Sequence, residues 1–442
     1  MNILVLHRVP YPRIEYARGI DHDRHDVTYF GVPDLLATLP AGLRCERVQR
    51  PGRAGTFDEA QAWLSQAPRS FDRVIALSEY DLLDAAKLRA WLGTPGATFD
   101  EVRLVRDKVA MKDAVRKAGL RVPKFVSLGA LMASTASAQW LGRTVLKPLS
   151  GASSEDVVIF ETPEAAAVAI RERRSGVARL DADAQAIDDY EVEEFVTGDI
   201  LHFDGLVSNG EVLTITASRY IGTCLAFANG RPLGSYHFPV STQAGAWAAS
   251  ALAAVGIEQG SFHLEAIEHG KTLVFLEVGN RVGGADVVAT FEYATGVHLP
   301  SEELRLLLDG RPSRALPRTQ AQPRWHGWFV FPGHTLDTDA YEGIAGIDAF
   351  RGDPALVRWI ELPAGAPIKR RITYSAHEAP LAGIVAHENW EQTRDWISAL
   401  FAAGDAARET AASRLRSRPD LPHAALRHAA PHREMHLVNT DR

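Results

Sequence analysis

Lys271-Thr-Leu-Val-Phe-Leu-Glu-Val-Gly-Asn-Arg-Val-Gly-Gly284 is the stretch whose reading decides the fold. Leu273 to Leu276 form an apolar, partly β-branched run bounded by His269-Gly270 and by later glycines, the pattern of a buried strand. At its end Glu277, Asn280 and Arg281 emerge together, and Gly283-Gly284 follow. Polar groups crowded at the mouth of a buried strand cost desolvation energy unless they pair or bind something. Alone, the cluster reads equally well as an ion pair between Glu277 and Arg281 at a β-turn. A second acid lies upstream in Phe262-His-Leu-Glu265-Ala-Ile267, another alternating strand. If the two strands pair, Glu265 and Glu277 face one cleft. Two carboxylates and the amide oxygen of Asn280 are hard ligands that suit Mg²⁺ held partly by phosphates. Arg281 then neutralises phosphate or oxyanion charge.

Two lysines upstream fit the same chemistry. A helix is expected from Val102 to Ala118, with Asp and Glu at its start and Gly119 and Pro123 at its end. Lys108 sits near its beginning, where a cation opposes the helix dipole, so it reads as a surface lysine or as one reaching toward an anion. Lys147 lies in Thr144-Val-Leu-Lys147-Pro148, an apolar strand leading into Ser150-Gly-Ala-Ser-Ser154. A buried lysine needs an anionic partner. The small residues, Ser153 and Ser154 among them, let backbone N–H groups approach a phosphate. A plain hairpin is the competing reading. The loop is not a Walker motif, because the lysine precedes the glycine.

The chain has 442 residues and a formal net charge of -7, enough for two or three domains and without the basic surface that nucleic acid requires. Cys45 and Cys224 lie far apart, as reduced thiols in a cytoplasm would. No window reaches the roughly 20 apolar residues of a membrane span, and the N-terminus is too short and uncharged for a signal peptide. Residues 1–100 alternate strand and helix, with strands at Ile3–His7, Asp26–Gly31 and Phe71–Ser78, and predict an open α/β domain. The turn after the first strand lacks G-x-G-x-x-G, which argues against dinucleotide binding. Asp21-His-Asp-Arg-His-Asp26 reads as a solvated loop rather than a metal cluster. Residues 101–310 form a second, α+β unit with a β-rich portion over about 143–197; Ala226–Ala228 is taken as part of a later β-rich run. The proline-rich segment 312–323 separates it from a small β-rich cap at 311–404, with strands at Trp325–Phe331, Ile344–Ile347, Val357–Leu362 and Gly383–Ala386, and a helix at Asn389–Ala403. Residues 405–442 read as a poorly ordered tail, where the spaced His428, His432 and His436 are interrupted by Pro431.

Taken in order, Asp107-Lys108, Met111-Lys112, Val145-Leu-Lys147-Pro148, Glu193-Glu-Phe-Val-Thr-Gly198, His263-Leu-Glu265 and Glu277…Arg281-Val-Gly-Gly284 resemble the ATP-grasp superfamily, in its carboxylate–amine ligase branch. The resemblance covers roughly residues 100–300. His7-Arg-Val-Pro10 and Ile20-Asp-His22 are also similar to bacterial L-amino-acid ligases, which make dipeptides. The resemblance implies an α/β fold, α+β in its ATP-binding part, with a mobile lid. It implies ATP, and Mg²⁺ or Mn²⁺, as cofactors, with small-molecule carboxylates and amines as substrates and a homodimer as one assembly open to it. Lys108 and Lys147 would hold ATP phosphates, and Glu193, Glu194, Phe195 and Val196 the adenine hinge. Asp199 or His202 would meet the ribose. Glu265 and Glu277 would bind metal. Asn280 falls one residue later than the family's usual asparagine. Arg281 would act on the acyl-phosphate, Gly283 and Gly284 would approach the substrate carboxylate, and His237 would contact substrate. A biotin-carboxylase-like enzyme, a purine-pathway ligase and a silent nucleotide-binding module are the alternatives.

Overall fold

The computed structural model describes residues 1–151, 154–320 and 323–416. Strands β1 (Asn2–Leu6), β2 (Asp26–Gly31), β3 (Glu46–Gln49) and β4 (Arg73–Ala76) form a parallel sheet in the order β3-β2-β1-β4. Ile3 and Val5 enter one core with Tyr16 and Tyr29, while Leu4 and Leu6 enter another with Phe30 and Leu64. Burial on both faces is why β1 reads as an unbroken apolar run. The first of these cores also takes in Leu304 and Leu308 of the helix Leu299–Asp309, which packs the N-terminal sheet onto the central domain. β3 escapes a sequence reading because Glu46, Arg47 and Gln49 make it polar. The loop at 21–26 is less solvated than expected: His22 and His25 are buried, and His22 Nε2 lies 2.9 Å from the Tyr29 hydroxyl.

A second sheet holds β5 (Phe125–Ser127), β6 (Thr144–Pro148), β7 (Val158–Phe160) and β8 (Tyr190–Glu194) in the order β5-β8-β6-β7. It begins at Phe125, before the expected 143. Ser153 lies outside the described residues.

The third sheet has eight strands: β9 (Asp199–Ser208), β10 (Glu211–Ile221), β11 (Leu233–Phe238), β12 (Gln259–His269), β13 (Thr272–Gly279), β14 (Trp325–Phe331), β15 (Leu356–Glu361) and β16 (Leu381–His387). Their order is β13-β12-β9-β10-β11-β14-β16-β15. The expected cap is therefore no sheet of its own. β14 pairs with β11, Leu233 opposite Val330, and satisfies backbone groups that an edge strand would leave open. The helix that closes this end runs Trp390–Arg416, past the expected stop at Ala403, and residues 417–442 lie outside the description with the three tail histidines. Two expected strands differ. Cys224–Ala228 is a short helix capped by the Thr223 side chain, and no strand forms at 344–347.

One face of the large sheet is apolar. Phe203, Ile215, Phe262, Leu264 and Phe275 pack there under the helices Lys108–Lys117 and Thr242–Ala254. Between Glu265 and Ala266 the β12–β13 register shifts, so that Phe275 opposes Ala266 while Glu277 opposes Glu265. Strict alternation would have put Phe275 and Glu277 on one side; the extra residue, Leu276, reverses the phase and sends the acid to the opposite face. Among the described residues no helix is long and apolar enough to cross a membrane.

Candidate active site

Directly opposed residues share a face, and the register gives one polar row across five strands: Glu277, Glu265, His202, Ser218, His237. Side chains from other segments close over its first end.

Lys108 opens its helix because Asp107 caps it, the Asp107 side chain accepting from the N–H groups of Val109 and Ala110 at 3.0 Å each. This cap also splits the single helix expected over 102–118 into Phe99–Leu104 and Lys108–Lys117. Lys108 Nζ donates to the Gly151 carbonyl at 2.9 Å and stands 3.2 Å from Glu277 Oε2. Lys147, on β6, places Nζ 2.7 Å from Glu193 Oε1. Lys112, fully buried, lies 2.7 Å from Glu191 and 2.5 Å from Glu193. Two lysines thus share two carboxylates, an arrangement the sequence signals only in part: Lys112 lies within the Met111-Lys112 motif, and Glu191 carries no local mark of this role. Burial opposes the charge on Lys147, but Glu193, Glu191 and Glu277 outweigh it and raise its pKa. Burial raises Glu191, whereas Lys112 and Lys147 overcome burial at Glu193 and lower it.

Glu265 is fixed through Oε1, which accepts the Tyr220 hydroxyl at 2.9 Å and lies 3.4 Å from His263 Nε2. Burial opposes ionisation of Glu277, yet Lys108, Lys147 and Arg281 bring it down to about 2. The two opposed carboxylates are hard oxygen donors, one of them already oriented by neighbours, and this donor set fits Mg²⁺. Asn280 is placed differently: its Nδ2 donates to the carbonyls of Gln259 and Ser261 at 3.1 and 2.9 Å, tying it to β12.

Arg281 Nε donates to Glu79 Oε2 at 2.5 Å, and Glu79 also pairs with Arg106. Burial opposes the charge on Glu79, and the two arginines lower its pKa despite it. Glu79 follows β4, at the carboxyl end of a parallel strand, where open α/β sheets place ligands. That position was the available signal for it. Gly279 is constrained by the same acid, because a Cβ there would stand 2.9 Å from Glu79 Oε2.

Asp204 lies between two histidines, 2.5 Å from His202 Nδ1 and 2.7 Å from His263 Nδ1. Ligands around a tetrahedral cation stand about 3.3 Å apart, given bonds of about 2 Å, so these contacts are hydrogen bonds. Burial lowers the affinity of His263 for a proton, but Asp204 and Glu265 reverse this and raise its pKa to about 9. Gly283 rests on this pair; a Cβ would meet Asp204 Oδ1 and His263 Nδ1, each at 2.9 Å. Gly284 has open space where a Cβ would point.

His202 gives its second nitrogen to the Ser235 hydroxyl at 2.7 Å. Both ring nitrogens are committed, which leaves none for a ribose. Asp199 pairs with Arg219 at the start of β9. In the hinge, Glu193 serves the lysines and Glu194 Oε1 accepts the Lys124 N–H at 3.0 Å. The Phe195 ring lies 3.9 Å under the Arg143 guanidinium, and Val196 follows half-buried. Ser154 adopts φ 55°. His237 stands three strands from Glu265, about 14 Å at 4.8 Å per strand, which removes it from the carboxylates. It lines a separate cavity of about 380 Å³ with Thr216 and Trp325. A cleft of about 500 Å³ beside the small-residue loop is lined by Arg106, Asp107, Ser150 and Gly151.

No family model matches the chain. It is 24% identical over 247 residues to an L-arginine-specific L-amino acid ligase of Bacillus subtilis, a match covering 53% of this chain and 57% of that protein's length. Among solved structures, an L-amino acid ligase from Bacillus licheniformis aligns with a TM-score of 0.66 at 19% identity, over 91% of this chain and 97% of that one. The N5-carboxyaminoimidazole synthetase of Staphylococcus aureus, complexed with ADP, aligns at 0.63 and 14% identity, over 90% and 96%. The chain has the ATP-grasp fold.

Proposed function

We propose that the protein is an ATP-dependent carboxylate–amine ligase, and that it joins amino acids into dipeptides. The observation that carries this reading is the convergence of Lys108, Glu277 and Glu265 at one mouth, with Lys147 on the facing sheet and Arg281 beside them. The likeness to L-amino acid ligases supports the finer substrate assignment.

A carboxylate resists nucleophiles because it is charged and oxide is a poor leaving group. Phosphorylation by ATP converts it to a mixed anhydride, and an amine then displaces phosphate to leave an amide. Lys147 and Lys108 screen the phosphate oxygens during this transfer, and Arg281 faces the charge that develops on the carboxylate. Glu265 and Glu277 would hold Mg²⁺, which supplies further charge neutralisation when bound. Tyr220 and His263 keep Glu265 oriented for that role. Gly283 brings backbone close to the Asp204–His263 pair, in space that a side chain would block, and Gly284 beside it opens on free space. The sheet carrying Lys147 would close over the nucleotide and keep water from the acyl-phosphate.

The test is phosphate release that requires ATP, Mg²⁺ and a carboxylate together, with hydroxylamine added to trap the activated acid as hydroxamate. Hydroxamates formed from amino acids would uphold the dipeptide assignment. No release across a broad panel of carboxylates would leave only a nucleotide-binding protein.

A further inference from the structure

Beyond Arg281 the chain passes Gly283 and Gly284, turns at Ala285 with φ 48°, and enters the nine-residue helix Val287–Thr295. Asp286 stands at the cap position, yet its side chain accepts no N–H of the first turn, and that turn carries no acid. Asp286 instead pairs with Arg358 of β15. Arg13, from the segment after β1, donates from Nη2 to the Ala285 carbonyl at 2.7 Å. All three parts of the chain thus contribute to one spot, four to five residues past the proposed catalytic arginine.

The charges there do not balance. Arg13 has no carboxylate within ion-pair distance among the described residues. Arg358 Nε is shut from solvent and has no hydrogen-bond partner among them. Glu378 is the other acid whose field reaches Arg13. Arg371 already holds it through two bonds of 2.7 and 2.9 Å, and the Thr373 hydroxyl adds a third. Asp286 pairs with Arg358 alone, so Arg13 leaves one positive charge in excess beside the positive end of an uncapped helix. Both arginines are only partly buried, 30% of the Arg358 side chain being exposed, so this excess charge is open to an arriving anion, and a guanidinium fork matches a carboxylate.

We propose that Arg13 and Arg358 form a carboxylate subsite for the amine-donating substrate, so that this substrate is an amino acid or a peptide end rather than a simple amine. The assignment rests on the ligase reading above and deepens it. The acid to be activated lies at Arg281 and the lysines; the donor's own carboxylate is held beyond Gly284, and the anchor keeps its amine from drifting away.

The experiment separates the two halves of the reaction. Wild type, Arg13→Ala, Arg358→Ala and the conservative Arg358→Lys are each given ATP, Mg²⁺ and an activated amino acid, with either hydroxylamine or a second amino acid as the amine. Hydroxylamine carries no carboxylate, so hydroxamate should form in the alanine variants at close to the wild-type rate. Their KM for the amino-acid donor should rise about ten- to a hundredfold, the loss of a charge-assisted hydrogen bond. The lysine variant should recover part of that loss. Wild type should also prefer an amino acid over its carboxamide as donor, and the alanine variants should lose that preference. Equal loss of hydroxamate and amide in the alanine variants, or no change in either, would overturn the subsite. No hydroxamate from wild type with any acid would overturn the ligase reading itself, and the subsite would fall with it.

Discussion

Replacing Glu277 by glutamine tests the site because two explanations of this residue predict opposite outcomes. The carboxylate lies 3.2 Å from Lys108 Nζ, and its pKa falls from 4.5 to about 2. A group depressed in the folded state adds stability above its unfolded pKa and loses it as pH falls through the folded value. At pH 7 the whole term is present, and 2.5 units at 1.36 kcal/mol each give about 3.4 kcal/mol. The side chain is 34% exposed, so solvent screening cuts this to about 1–2 kcal/mol. Glutamine keeps an oxygen for Lys108 and loses only the charge. Urea melts at pH 7 should therefore show a loss of at most about 2 kcal/mol. Phosphate release should fall far more, by about 10²–10³-fold, the effect of removing one preorganised electrostatic contact from a transition state. A structural ion pair predicts the reverse, a similar loss of stability with turnover nearly intact. A rate within about tenfold of wild type in a folded variant would refute the placement of the chemistry here.

Lys112→Met should destabilise by about 3–5 kcal/mol, because Glu191 and Glu193 then share Lys147 alone inside the protein; thermal melts read this directly. Lys147→Met should raise the KM for ATP by about tenfold or more, the cost of one charge-assisted phosphate contact, and a steady-state titration with ATP measures it. Gly283→Ala should lower turnover without unfolding the chain, since its Cβ would stand 2.9 Å from both Asp204 and His263 and must push the turn off that pair. His237, whose pKa burial lowers to about 3, is held neutral in the folded state while the unfolded chain protonates near 6.5. Stability should therefore fall by about 1.36 kcal/mol per pH unit below 6.5 from this group, about 2 kcal/mol by pH 5. His237→Gln should flatten that slope in urea melts.

What could be read from the sequence was whatever a local pattern encodes. Ile3 to Leu6 announces a strand buried on both faces because every side chain is apolar, and Lys147 stands out because a cation interrupts an otherwise apolar run. β3 and Glu191 carry no such contrast: one is a polar edge strand, the other a glutamate in a string of acids whose partner lies 79 positions away. Residues held by distant neighbours, as Glu79 is by Arg106 and Arg281, acquire their meaning only when the chain folds back. His202 and His237 show how much of a histidine's role is set by neighbours remote in the chain. In the fold His202 is spent on Asp204 and Ser235, and His237 lies strands away from the carboxylates.

The β12–β13 register shows why an accurate reading of residue types can still rest on incomplete geometry. Alternation along Val274-Phe-Leu-Glu-Val278 puts Glu277 on the side of Phe275, and Phe275 is completely buried in the apolar core. On that pattern the acid would sink under the helices Lys108–Lys117 and Thr242–Ala254. The extra residue at Leu276 moves it across the sheet, opposite Glu265. A bulge costs a ladder hydrogen bond and some regularity. Here it also lets one short strand seal the core with Phe275 and present a carboxylate to the cleft two residues later. Deleting Leu276 should remove the bulge and leave Glu277, now next after Phe275, still opposite Glu265 on the cleft side. Lys108 would keep its partner, so the stability of the deletion variant should run parallel to that of wild type as the pH changes. A deletion variant that lost stability at neutral pH and regained it as the carboxylate protonates would show that Glu277 had gone to the core side, and that the extra residue does not control where this acid goes.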